Sequence, residues 1–282
     1  MKTPCMPRGA IPRRQRRNAE PMRENKLKAK LLANQITLGS AVSSHSPDTI
    51  ELLGAIGLDY VVLDMEHEPY DELAVVHSIR AAESAGITPI ARLPNDPDLI
   101  LRVLNAGAQG IHVPRINTTE DAEDAAAATR FFPDGDRTFF AAARSGNYGV
   151  DVTEEAYAEH ANRETLLTIQ IEEEEGVENL PEILALPGID IIQVGPKDLW
   201  QSMGMPERAE VQTVVDGAIR HAVAAGKWVS SYVWLNDTYE EQMERLSGLG
   251  VQMLTVSARE FLVEGARNFV ALRQQLGQRT RS

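Results

Sequence analysis

Six side chains carry the chemistry this sequence can do: Asp64, His67, Arg92, Gln170, Glu172 and Asp198. Glu172 and Asp198 both stand at the ends of short apolar runs. Two carboxylates brought together could share a hard divalent cation such as Mg2+ or Mn2+. Such an ion takes oxygen ligands and keeps positions open for water or a bidentate 2-oxo acid. In the plainer alternative, Glu172 only opens the acidic run 172–175 and faces solvent. Gln170 sits two residues earlier, on the same face of an extended strand, and favours an inward Glu172. His67 follows Asp64 by three residues. A carboxylate beside an imidazole fixes its tautomer and tunes its basicity, as general acid–base work requires. A capping histidine in a turn is the other reading. Arg92 would stabilise a developing enolate or alkoxide, or else pair with Asp64 or Glu66.

These residues converge only if strands of one sheet carry them to a common edge. From residue 24 onward, β-rich runs alternate with amphipathic stretches. Strands are predicted over 36–42, 60–64, 88–93, 110–114, 166–171, 190–194, 228–233 and 252–256. Helices are predicted over 46–56, 71–84, from 95, over 118–129, 153–162, 176–185, 209–225 and 237–248, with a further C-terminal helix. Eight βα units predict a single (β/α)8 TIM barrel, whose chemistry sits at the C-terminal strand ends. A doubly wound open sheet is the alternative, but no Gly-x-Gly-x-x-Gly follows the first strand.

In the barrel reading, strand 2 ends on Asp64-Met-Glu66-His67 and strand 3 on Arg92. Strand 5 ends on Gln170-Ile-Glu172, and strand 6 on Gly195-Pro196-Lys197-Asp198. The irregular region 131–165, with Phe pairs at 131–132 and 139–140, is expected to form a wall or lid of this mouth. A lysine imine is disfavoured. Lys227 precedes strand 7, at the wrong end, and Lys197 lies beside Asp198, which keeps it protonated. His45, His77, His112, His160 and His221 read as structural.

The bulk properties agree. The 282 residues, 43% hydrophobic and 24% charged, suit one soluble barrel of ordinary size. No run of about 18 apolar residues is present to span a membrane. A net charge of −13 argues against nucleic acid as a partner. Cys5 is the single cysteine, which excludes an intrachain disulfide and fits a reducing cytoplasm. Residues 1–21 hold six Lys and Arg against one acid, Glu20, so the remainder carries −18. No apolar segment follows them, so they do not read as a secretory signal. The expected organisation is a disordered basic extension over 1–23 and a barrel over 24–282, with Met22 a plausible alternative start.

Five runs bring a resemblance. Leu58-Asp-Tyr-Val-Val-Leu-Asp-Met-Glu-His67, Ala91-Arg-Leu-Pro94, Gln170-Ile-Glu172, Gly176-Val-Glu-Asn-Leu180 and Val194-Gly-Pro-Lys-Asp-Leu199 together resemble the HpcH/HpaI aldolase family, over about residues 24–275. The order and spacing of these runs make the match specific. The resemblance implies a (β/α)8 barrel and a Mg2+, Mn2+ or Co2+ ion. It also implies a class II pyruvate aldolase (an aldehyde-lyase) that reversibly cleaves 4-hydroxy-2-oxo acids to pyruvate and an aldehyde. The metal carboxylates would be Glu172 and Asp198, the acid–base histidine His67, its supporting aspartate Asp64, and the enolate-stabilising arginine Arg92. Substrate would lie against Arg92, Gln170 and the Gly195-Pro196 turn. The resemblance further implies a homo-oligomer, a hexamer or trimer of dimers, that exchanges C-terminal helices.

Two departures stand out. Gly135-Asp-Arg137-Thr138 replaces a Gly-x-Arg-Gly turn, and Trp200 stands where the family carries a small residue. Both are expected near the aldehyde part of the site. The rival readings are a 2-oxo acid (oxaloacetate) decarboxylase, a citryl- or malyl-CoA-type lyase, and a barrel retained for binding or scaffolding. A CoA substrate would favour a basic phosphate site, for which only Arg137 and Arg144 offer themselves.

Overall fold

A computed structural model describes residues 22–235 and 238–279. The expected basic extension lies outside the described residues, save Met22 and Arg23. The strands are β1 (Thr37–Val42), β2 (Tyr60–Asp64), β3 (Thr88–Arg92), β4 (Gly110–Val113), β5 (Leu166–Ile171), β6 (Ile191–Val194), β7 (Trp228–Tyr232) and β8 (Met253–Ser257). They pair in parallel in chain order, and β1 closes on β8. The closed barrel excludes the open doubly wound sheet.

The helices are α1 (Lys26–Leu32), α2 (Pro47–Ile56), α3 (Glu72–Ala85), α4 (Pro97–Ala106), α5 (Thr119–Thr129), α6 (Glu154–Glu164), α7 (Glu174–Glu178), α8 (Leu180–Leu184), α9 (Pro196–Ser202), α10 (Arg208–Ala224), α11 (Tyr239–Gly248) and α12 (Ala258–Arg279). Ser46, Asp71, Asp96, Thr118 and Thr153 cap helix starts by accepting backbone N–H bonds. Gly57, Gly86 and Gly107 close α2, α3 and α4 in the left-handed region, which glycine enters without a Cβ clash. Two details differ from expectation. The helix predicted over 176–185 is divided into α7 and α8, which meet at Asn179, just before Pro181. The short α9 was not anticipated, although Pro196 at its first position is a start signal.

The alternation of strand residues builds two cores. Outward side chains such as Val61, Leu63, Ile111, Ile169 and Ile192 pack under the helices. Inward ones, Tyr60, Val62, Ile90, Leu166, Ile191 and Met253, fill the lower barrel with Leu27 and Leu31 of α1. Leu27 and Leu31 are one helical turn apart and both fully buried, so α1 plugs the N-terminal end. Tyr60 fits inside because its neighbour is glycine: a Cβ on Gly39 would fall 2.3 Å from the Tyr60 ring.

The region 131–165 does not wall the C-terminal mouth. It follows α5 and precedes β5, so α5 has already returned the chain to the N-terminal end of the barrel. There Phe131 packs edge-on against Phe139 and Tyr157, with ring centroids 5.2 and 5.4 Å away. Arg144 bonds Glu83 and the Ala106 carbonyl. Arg137 and Arg144 are therefore far from the strand-end carboxylates in topology. Trp200 is likewise turned into the helix layer, where its indole N–H donates to the Pro206 carbonyl and Arg208 covers its ring. Gly135-Asp-Arg137-Thr138 is thus remote from the strand-end carboxylates, while Trp200 stays on α9, two residues beyond Asp198.

Candidate active site

The C-terminal strand ends bring the sequence candidates together. Asp64, Arg92 and His112 are successive partners across β2, β3 and β4, and Gln170, Gln193 and Ser230 across β5, β6 and β7. All six are buried. Parallel strands in this register necessarily aim such residues into one layer of the barrel interior.

Asp64 and Arg92 form a two-pronged ion pair. Arg92 Nε donates to Asp64 Oδ1 at 3.0 Å, and Nη2 donates to Oδ2. Asp64 Oδ1 also accepts the backbone N–H groups of Glu66 and His67, each at 3.2 Å. Burial alone would raise the Asp64 pKa, but the bonds and charge of Arg92 and these two N–H groups outweigh it and hold the pKa below its ordinary value. Asp64 thus supports His67 through the backbone, not through the imidazole as expected, because Arg92 occupies its outer edge. The carboxylate nearest the imidazole is Glu66, with Oε2 3.7 Å from His67 Nε2. The His67 side chain is 60% exposed and can reach a bound molecule.

Glu66 is the residue that sequence reasoning undervalued. Its carboxylate is held among Arg92, Arg115 and His67, each 3.7 Å away, and its buried Oε2 has no hydrogen-bond partner. A buried acceptor left open in this way suits a water or ligand at the mouth.

Glu172 turns inward, with 3% exposure, so the solvated-acid reading fails. Its Oε1 accepts the Arg115 N–H at 3.0 Å, and its Oε2 accepts from the Gln170 amide. Gln170 is oriented in turn. Its Oε1 accepts from Gln193 at 3.2 Å and lies 2.6 Å from His112 Nε2, which leaves its amide nitrogen for Glu172. Ser230 donates to Gln193 at 3.0 Å and completes the chain. Burial, then the nearby positive charge of Arg92, pushes the His112 imidazole down to about 3. His112 is therefore neutral and donates to Gln170. It belongs to the support of the site, a role its sequence setting did not show. Counting strand parity back from Gln170 through the barrel register would have pointed to it.

Gly195 is a steric requirement. A Cβ there would meet Glu172 Cβ and Oε2 at 2.7 Å and Gln170 Nε2 at 3.0 Å. Pro196 then starts α9, whose first turn carries Asp198. Asp198 is exposed and, among the described residues, makes no ion pair. Burial, reinforced by the charges of Asp198 and Glu66, raises the Glu172 pKa to about 7, against the bonds from Gln170 and Arg115. Lys197 is spent elsewhere, its ammonium 3.9 Å above the Trp234 ring. Tyr232 stacks on Trp234 beside Arg92, and burial raises its phenol pKa.

The donor set fits a hard divalent cation. It is all oxygen, and burial, with the charges of Asp198 and Glu66 added to it, holds a proton on Glu172 near neutrality. Glu66 adds a buried, unpartnered acceptor. Among the described residues no three His, Cys, Asp or Glu side chains form a closed cage, so an ion held here would keep positions for non-protein ligands. No described helix is long and apolar enough to cross a membrane.

Known proteins are similar to this chain in sequence and fold. The family model for HpcH/HpaI aldolase/citrate lyase matches residues 39–253. The 5-keto-4-deoxy-D-glucarate aldolase of Shigella boydii serotype 18 is 35% identical over 211 residues, covering 73% of this chain and 81% of its own. Among solved structures, an HpcH/HpaI aldolase/citrate lyase family protein from Burkholderia cenocepacia J2315 superposes with a TM-score of 0.80 at 30% identity, covering 89% of this chain and 99% of its own. The citrate synthase SbnG gives a TM-score of 0.79 at 30% identity, covering 90% of this chain and 100% of its own.

Proposed function

The chain belongs to the HpcH/HpaI aldolase/citrate lyase family, and we propose that it is a class II aldolase reversibly cleaving a 4-hydroxy-2-oxo acid to pyruvate and an aldehyde. The observation that carries this reading is the pairing of the Glu172–Asp198 acidic pocket with an accessible His67 and a fixed Arg92 at one barrel mouth. Mg2+, Mn2+ or Co2+ held by Glu172 and Asp198 would supply Lewis-acid polarisation of the 2-oxo group.

The remaining steps fall to the chain's own groups. His67 Nε2 accepts the C4-hydroxyl proton as the C4–O bond becomes the aldehyde carbonyl. The C3–C4 bond breaks, and its electron pair passes into the enolate of pyruvate. Arg92 faces that developing charge. Its Nε and Nη2 are bound to Asp64, while Nη1 makes no hydrogen bond among the described residues and is left for the substrate. The proton held on His67 then returns to C3. Gln170 and Gly195 shape the floor, Pro196 the edge, and Glu66 sets a carboxylate 3.7 Å from the imidazole.

Arg137 and Arg144, the groups that a CoA-type substrate would have used, lie at the other end of the barrel. This favours an aldehyde over a CoA thioester. The substrate named for the curated relatives is a sugar diacid, so the decisive assay follows pyruvate release from 4-hydroxy-2-oxo acids, including sugar diacids, before and after chelation. Full turnover in EDTA would remove the metal role. His67→Ala is expected to lower kcat by roughly 10²–10⁴ while Mn2+ binding persists. Pyruvate formed from oxaloacetate, with no turnover of any aldol, would favour the decarboxylase. Absence of Mn2+ binding in calorimetry would favour a non-catalytic barrel.

A further inference from the structure

A second polar cavity, of about 250 Å3, lies at the end of the barrel opposite the carboxylates. Its wall includes the turn before β4 at 107–109, Thr165 before β5, α6 residues and the 3-10 turn Arg144–Gly149. Arg137 lines it and is only 7% exposed. The guanidinium donates from Nη2 to Asn105 Oδ1 at 2.8 Å and to the Tyr157 hydroxyl at 3.4 Å, and it stacks 4.4 Å over the Phe131 ring. Its buried Nε has no hydrogen-bond partner, and among the described residues no carboxylate pairs with it.

The neighbouring charges do not compensate. Arg23 and Arg144 share one carboxylate, Glu83. Glu164, the other acid on the wall, is taken by the Asn25 N–H and by Arg163. Among the described residues the cavity therefore holds an excess of guanidinium, inside a protein of net charge −13. A buried cation without a counter-charge is costly, and such groups are ordinarily paired. Two hydroxyls on the same wall, Ser145 Oγ and Tyr157 OH, are hydrogen-bonded at 2.7 Å, and the pair offers one further O–H donor.

We propose that this cavity binds a small multivalent oxyanion, a phosphate group or a dicarboxylate, with Arg137 as the buried counter-charge. Nη2 of Arg137 is already bonded to Asn105 and Tyr157, so its unpartnered Nε is the donor left for the oxyanion, as a charge-assisted hydrogen bond. Arg144 and Arg23 close the site from the rim, and the Ser145–Tyr157 hydroxyl pair orients the ligand. The site is separate from the strand-end carboxylates and does not depend on the reaction assigned to them.

The test is calorimetric titration of the whole protein with inorganic phosphate and, separately, succinate, at constant ionic strength. Saturable binding of one anion per chain is expected, and the anion that saturates at lower concentration identifies the source. Arg137→Gln is expected to weaken it at least tenfold while Mn2+ titration at the other end is unchanged. Ser145→Ala, at the rim, is expected to weaken it several-fold and serves if Arg137→Gln does not fold. Absence of saturable heat with either anion, or unchanged affinity in the folded variants, would overturn the proposal.

Discussion

Asp64 and Arg92 show how one buried ion pair serves both stability and chemistry. Removing one member leaves the other charge buried and uncompensated, which typically costs about 3–5 kcal/mol. Asp64→Ala is therefore expected to lower unfolding free energy by that order in urea titration, and to free Arg92 from its fixed orientation. The pH dependence has a definite sign. The folded pKa of Asp64 lies below its ordinary value of 3.8. Its contribution is thus fully present above 3.8 and is lost as pH falls through the lower folded value. Glu172 has the opposite sign. Its folded pKa is raised from 4.5 to about 7, so without bound cation the folded state loses stability as pH rises across that window. A cation must displace the same proton. Mn2+ affinity measured by calorimetry is expected to weaken as pH falls below about 7, and an affinity flat across that range would contradict the assignment of Glu172.

At the scale of elements, the helix caps and strand periodicity made the eight βα units legible in the sequence. Candidate residues at strand ends followed from that alone. The position of the 131–165 segment was misjudged because its irregular composition resembles a functional loop. The deciding fact is that it follows a helix, and connections from helix to strand lie at the N-terminal end. The role of His112 was hidden for a related reason. A histidine within an apolar strand looks structural until the neighbouring strands bring Gln170 to it. The α1 plug carries its own expectation. Leu27 is fully buried against the inward core. Leu27→Ala is expected to cost about 2–5 kcal/mol in chemical denaturation, and a loss well under 1 kcal/mol would mean α1 does not seal the barrel.

For the whole molecule, α12 is the informative element. It leaves β8 directly and exposes Phe261, Leu262, Val263, Phe269, Val270 and Leu272. Arg259 at its start is tied to Glu68 at 2.8 Å, so the mouth and the base of this helix are linked. A stripe of this size is far more apolar than a solvent-facing helix requires. We propose that it docks on further copies of the chain in a homo-oligomer, the exchange that the sequence resemblance implied. Light scattering after gel filtration is expected to give a multiple of the 31.0 kDa chain mass, reduced by Phe269→Asp. A wild-type monomer would refute this.

The sequence by itself determined the repeating βα order, the strand that carries each candidate acid or base, and the family, because these depend on local periodicity and on motifs read along the chain. Only the tertiary structure decided which side chains meet. Barrel closure and strand register give Asp64 to Arg92 rather than to the imidazole, leave Glu66 beside His67, and aim Gln170 at Glu172. They also place Arg137 at the opposite end of the barrel from Asp198. Asp64 and Arg92 are 28 positions apart and His112 and Gln170 are 58 apart, and even for near neighbours such as Gln170 and Glu172 only the folded geometry sets the distances and the burial that fix their charges.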